Sequence, residues 1–164
     1  MIERERSASS RLLKLLIATT LAVSLNTVSA ANRTADKVTG LPGCAPLPSK
    51  WYSGYLNVSS TKSLHYIFIE SLDKPSNDPI LIWFNGGPGC SSMLGLFQEH
   101  GPYIFDDGET VIKPNPYPWN VRANLLYIES PAGVGFSWGN GSDAQLHSDM
   151  STSQDAFVGL QNFY

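Results

Sequence analysis

The sequence predicts an α/β protein: one sheet with flanking helices that opens on an antiparallel hairpin and is incomplete at its C-terminal end. Three observations point there. Two alternating segments, Trp51 to Val58 and Leu64 to Ile69, flank a polar turn, as the strands of a hairpin do. Two further runs, Ile80 to Phe84 and Asn124 to Glu129, carry the near-continuous apolar pattern of strands buried on both faces. Helix-like segments follow each of them, Met93 to His100 and Gln154 to Tyr164, with Phe157, Leu160 and Tyr164 at helical spacing in the second.

The elements follow from the N-terminus. Arg4, Arg6, Arg11 and Lys14 precede a mostly apolar run, Leu15 to Leu25, and Val28 and Ala30 then stand at small-x-small spacing. That is the pattern of a secretory signal peptide over residues 1–30, and the run is too short to span a bilayer. A buried amphipathic helix is the alternative, but Lys14 and the threonines spoil its face. Residues 31–164 form the mature part, which carries seven basic against twelve acidic side chains. No later segment reaches transmembrane length, so an exported protein with no membrane attachment after signal cleavage is expected. Residues 31–50 are rich in Pro, Gly and small polar residues and read as an extended lead-in. Pro75 to Pro79 breaks the chain before the first apolar run, and Gly101-Pro102 stops the first helix. Between them and Asn124, short strands are expected at Tyr103 to Phe105 and Val111-Ile112. The last helix has no C-terminal cap, which is why the sheet reads as unfinished.

Composition excludes several classes. With 42% hydrophobic and 15% charged residues the chain is an ordinary folding sequence, neither disordered nor coiled coil. A net charge of −3 gives no basic surface for nucleic acid. Asn32, Asn57 and Asn140 each begin an N-x-Ser/Thr glycosylation triplet, in keeping with export. The two cysteines, Cys44 and Cys90, are compatible with a mutual disulfide, with half-cystines whose partners lie elsewhere, or with buried thiols.

The chemistry is concentrated in Asn85-Gly86-Gly87-Pro88-Gly89-Cys90-Ser91-Ser92, between a strand and a helix. Glycines bring backbone N–H groups close to a ligand, and amides converging near a helix start make an anion hole. Dinucleotide binding fits poorly: Ser92 stands where the third glycine belongs, and Pro88 removes an amide. An oxyanion loop after an early strand, as in α/β-hydrolases, fits better. Gly135-Phe136-Ser137-Trp138-Gly139, followed by Asp143 and His147, imitates a nucleophile elbow. It is separated from its strand by five residues and followed by Asn140-Gly141, so Ser137 is not expected to be a nucleophile. His65 and His100 are poor general bases by position, and the three histidines show no metal-ligand spacing.

The motif NGGPGCSS at Asn85–Ser92 and ESPAGVGFS at Glu129–Ser137 together resemble the serine carboxypeptidase family. Leu41-Pro42-Gly43, Tyr52 to Leu56, Glu99 to Pro102 and Trp119-Asn120 run in the same order, so that the resemblance covers about 38–164. It implies an α/β-hydrolase-type sheet, an exported lysosomal, vacuolar or extracellular protein, and release of C-terminal residues from peptides through an acylated serine, with no cofactor or metal. It also implies residue roles. Asn85 and Gly86 bind the substrate's C-terminal carboxylate, Gly87 gives one oxyanion N–H, and Glu99 belongs to a carboxylate-recognising acidic pair. Glu129 reads as part of a structural loop, with no catalytic role. Cys90 is, in the family, joined to a cysteine far downstream that this chain lacks. The family's nucleophilic Ser and its Asp and His also find no match here, so the 164-residue chain is expected to be an N-terminal portion with negligible catalysis alone. A scaffold-sharing acyltransferase or hydroxynitrile lyase, or a short non-catalytic product, are the alternatives.

Overall fold

The computed structural model describes residues 34–164 apart from 106, 107, 109, 143 and 144. The expected signal segment 1–30, Asn32 and Asp143 therefore lie outside the described residues. Eight strands occur among the described residues: β1 Lys37–Val38, β2 Trp51–Asn57, β3 Lys62–Ile69, β4 Ile80–Trp83, β5 Tyr103–Ile104, β6 Lys113–Pro114, β7 Asn124–Ile128 and β8 Trp138–Gly139. Among the described residues a π-helix spans Gly95–His100 and an α-helix, α1, spans Asp149–Phe163. No helix among the described residues is long and apolar enough to cross a membrane.

The hairpin forms where expected. β2 pairs antiparallel with β3 from Trp51↔Ile69 to Asn57↔Ser63, and the turn is closed by Val58 N–H on the Lys62 carbonyl at 3.0 Å. The main sheet runs β1-β2-β3-β7-β4, with β8 added to β3. β7 lies antiparallel to β3 and parallel to β4, and all five of its residues are buried. Its side chains alternate between two cores, as the period-2 geometry of a strand dictates. Leu126 and Ile128 join Leu56, Leu64, Tyr66 and Phe163 beneath α1. Leu125 and Tyr127 join Trp51, Ile69, Leu96 and Tyr103 beneath the π-helix.

Helix α1 starts five residues before the expected point, because Ser148 caps it: its Oγ accepts from Ser151 N–H while Ser151 Oγ accepts from Ser148 N–H at 2.9 Å. Two polar anchors fix its face. Lys62 Nζ meets Asp155 Oδ2 at 2.6 Å, and Asn162 Nδ2 donates to the Asn57 carbonyl.

Four expectations are corrected. The buried face of α1 carries Asp155, Gly159, Asn162 and Phe163, while Phe157 and Tyr164 are 56% and 74% exposed, because the polar anchors set the helix rotation. β4 is only half-buried and Phe84 is exposed: β4 has β7 on one side and no described strand on the other. The expected strand at Val111-Ile112 falls at Lys113–Pro114, paired with Tyr103–Ile104, since Ile112 turns into the second core and Val111 faces solvent. Pro114 is tolerated because a two-stranded ladder is all edge. The helix expected over Met93 to His100 is π-type from Gly95 onward.

Candidate functional site

The C-terminal ends of the parallel pair β4 and β7 lie side by side, so the loops leaving them meet. The glycine loop leaves β4, and Ser92 closes its base. Ser92 Oγ donates to the Ile128 carbonyl at 2.7 Å and accepts from Asn85 N–H at 3.0 Å. Asn85 Oδ1 accepts from Trp83 Nε1 at 3.1 Å, which turns the amide NH₂ outward as a donor. Gly86 to Cys90 are exposed. Gly87 has φ +132°, and a Cβ there would meet the backbone nitrogens of Gly89 and Cys90 at 3.1 Å, so only glycine fits. The N–H groups of Gly86 and Gly87 make no hydrogen bond among the described residues. Beside them opens a cavity of about 480 Å³, walled by Phe84, Asn85 to Pro88, Ser130, Pro131, His147, Ser148 and the first two turns of α1. One side-chain amide and two backbone amides thus belong to residues that line one open space, a neutral donor set of the kind suited to a carboxylate or an oxyanion.

Glu99 is exposed in the last turn of the π-helix, with no side-chain bond to Asn85. An aromatic cluster that the motif pattern did not reveal connects the two. The Trp83 indole, which holds Asn85, packs edge-on against the His100 ring at 4.4 Å between centroids. His100 stacks on Trp119 at 4.1 Å and pairs its Nδ1 with Tyr127 OH at 2.9 Å. Burial holds the His100 pKa below the ordinary histidine value, against a smaller upward pull from Glu99. Burial raises the Tyr127 phenol, and Glu99 adds to it. The signal in the sequence was Trp83 two positions before Asn85, together with Glu99-His100.

Glu129 is completely buried. Its Oε2 bonds His65 Nδ1 at 3.0 Å and Phe136 N–H at 2.8 Å, and Ser91 Oγ donates to Oε1. Burial alone would raise this carboxyl, but the bonds from His65, Ser91 and Phe136 together hold its pKa below the ordinary value. In the tautomer in which His65 Nδ1–H donates to the Glu129 carboxylate, Nε2 accepts from Ser53 Oγ at 2.9 Å. Ser53, His65 and Glu129 stand in the order of a hydrolytic triad. However, Ser53 N–H already donates to the Asp36 carbonyl at 2.8 Å, and the rings of Tyr55 and Phe136 pack against the imidazole. Ser137 is buried, with its Oγ donating to the Glu129 carbonyl at 2.6 Å and accepting from His65 N–H at 2.8 Å. Its hydroxyl is a loop fastener.

Cys44 and Cys90 are both free, so the mutual disulfide is not formed. Cys90 is exposed in the glycine loop, and Cys44 is half-buried, where desolvation raises its thiol pKa. Asn57, at the end of β2, and Asn140, just after β8, are exposed beside the hairpin turn, where Asn57 Oδ1 accepts from Ser63 Oγ at 2.7 Å and Asn140 N–H donates to the Thr61 carbonyl at 2.9 Å.

A family model described as serine carboxypeptidase matches residues 42–164. The chain is 46% identical over 132 residues to the lysosomal protective protein of Mus musculus, covering 79% of this chain and 27% of that protein. It is 44% identical over 133 residues to serine carboxypeptidase-like 31 of Arabidopsis thaliana, again covering 79% and 27%. Among solved structures it is similar to a prohormone-processing carboxypeptidase from Saccharomyces cerevisiae, with a TM-score of 0.65 and 26% identity over 80% of this chain and 32% of that one. The chain thus spans about a quarter of the length of the curated relatives it matches.

Proposed function

The chain belongs to the serine carboxypeptidase family, and on that premise we propose that it is the carboxylate-gripping part of an exported serine-type carboxypeptidase with an α/β-hydrolase-type sheet. Residues 1–30 direct export and residues 31–164 form the N-terminal part of the catalytic domain. The name of the mouse relative supports a lysosomal, vacuolar or otherwise extracytoplasmic setting.

One observation carries the reading: the unengaged N–H groups of Gly86 and Gly87 stand next to an Asn85 amide whose oxygen is already held by Trp83. Asn85 and Gly86 bind the free C-terminal carboxylate of a peptide. Gly87 N–H receives the charge that develops on the scissile carbonyl oxygen. A serine outside this chain attacks that carbonyl, the C-terminal residue leaves, and water hydrolyses the acyl-enzyme. Glu99 acts from the far side of the aromatic cluster as the acidic element of carboxylate recognition. Recognition of a free carboxylate favours a peptidase over an acyltransferase or lyase on the same scaffold. Cys90, in an exposed loop, is a half-cystine whose partner lies outside the chain.

The test is binding of N-acetylphenylalanine and of its amide to the 164-residue chain, followed by titration of amide resonances. The acid is expected to bind and to move the Gly86 and Gly87 signals, while the amide does not. Asn85→Ala removes one charge-assisted hydrogen bond and should weaken binding about 10- to 150-fold. Equal binding of acid and amide would overturn the reading.

A further inference from the structure

We propose that Glu129 is the positioning residue of the glycine loop: acting through Ser91, its carboxylate fixes the frame on which the Asn85, Gly86 and Gly87 donors are held. This rests on the reading of that loop given above. The loop has little internal support. Its one internal backbone bond runs from Cys90 N–H to the Gly86 carbonyl at 3.3 Å, and three of its first five residues are glycine. Its shape must be imposed from its base.

That base is fastened to two consecutive residues at the end of β7. Ser92 bonds the Ile128 carbonyl, and Ser91 bonds the Glu129 carboxylate. The carboxylate in turn joins two more segments, His65 from the middle of β3 and Phe136 N–H from the loop beyond Pro131, at a point where Ser137 also ties the loop to β3. Space is kept for it. Gly135 has φ +54°, and a Cβ there would lie 1.8 Å from Glu129 Oε1. A fully buried carboxylate is costly unless its lone pairs are matched, and each bond it makes here carries positional information from one segment to another. The glycine loop is the exposed end of that junction, so a change at Glu129 is expected to be read at Gly86 and Gly87.

Glu129→Gln keeps the shape and removes the charge, whereas Ser91→Ala leaves the carboxylate and removes its link to the loop, along with the bond Ser91 Oγ accepts from Met93 N–H at 3.1 Å. In the 164-residue chain each is expected to shift the Gly86 and Gly87 amide resonances and to weaken N-acetylphenylalanine binding by about tenfold or more, as misplaced donors do. The double variant should bind no more weakly than the weaker single one. Ser91→Ala is expected to melt within a few degrees of wild type, which separates positioning from general stability. If both variants fold and keep wild-type affinity and Gly86 and Gly87 shifts, the proposal is overturned; if Glu129→Gln does not fold, Ser91→Ala alone decides. Should the wild-type chain bind no carboxylate, the reading of the site fails. The Glu129 proposal then stands or falls on the Gly86 and Gly87 resonances.

Discussion

Replacing Lys62 or Asp155 singly should cost far more than replacing both. The pair joins β3 to α1 at 2.6 Å, with side chains only 13% and 11% exposed, so it lies well inside the range where screening by water is weak. Asp155→Leu leaves a nearly buried ammonium without a partner, and Lys62→Met leaves a carboxylate in the same position. Each change should cost about 3–5 kcal/mol, because the remaining charge keeps its desolvation penalty and loses its compensation. Lys62→Met/Asp155→Leu removes both penalties and adds apolar contact beneath α1, so it should return to within about 1 kcal/mol of wild type or exceed it. For a domain of this size 1 kcal/mol corresponds to about 3–5 °C, so the single variants should melt about 10–20 °C lower. Thermal unfolding of the four proteins by circular dichroism, at one pH and two salt concentrations, gives the cycle. Single losses under about 1 kcal/mol, or effects that simply add, would refute the reasoning and make the pair a solvated surface contact.

Two further outcomes follow from the buried polar groups. Gly135→Ala combines a left-handed backbone with a Cβ 1.8 Å from Glu129 Oε1. It should lower stability by more than about 4 kcal/mol, beyond the ordinary range of point substitutions, and an unchanged urea midpoint would contradict the packing described. His100 has a pKa depressed by burial, so as pH falls through its ordinary value of 6.5 the unfolded chain takes up the proton first. Its contribution is complete above that value and is lost as pH drops toward the folded pKa. His100→Phe keeps a ring in the stack without titrating, and should flatten the decline in melting temperature between about pH 7 and 5. An identical pH slope would remove His100 as the cause. The Glu129 carboxyl, also depressed, adds a separate loss lower still, below the ordinary carboxylate range.

The hairpin, β7 and the glycine loop were legible because each carries a local signal: alternation, an apolar run, or glycines that only a tight approach explains. The half-exposure of β4 was not, since an apolar run records a need for burial and not which neighbour supplies it. The rotation of α1 is not legible in the sequence for a related reason. Its orientation is set by Asp155 and Asn162, which bond to β3 and β2 across a long sequence separation. Periodicity favoured Phe157 and Tyr164, which the helix leaves outside. Glu129 reads as part of a structural loop, but nothing local marks an acid as a junction. Its role depends on His65 and Ser91 arriving from distant segments.

The strand order has a consequence for how the chain is built. β4 is made before β7, yet in the sheet β7 lies between β3 and β4. On a ribosome the hairpin of β2 and β3 emerges with one flank open, and β4 has no seat until the strand that separates them arrives. Roughly fifty residues lie between the start of β4 and the end of β7, a delay of about 2–10 s at ordinary synthesis rates. During that interval β4, among the most apolar segments of the nascent chain, stays unpaired. The glycine loop directly behind it cannot take its shape either, since Ile128 and Glu129, which clamp it, emerge only as β7 is completed.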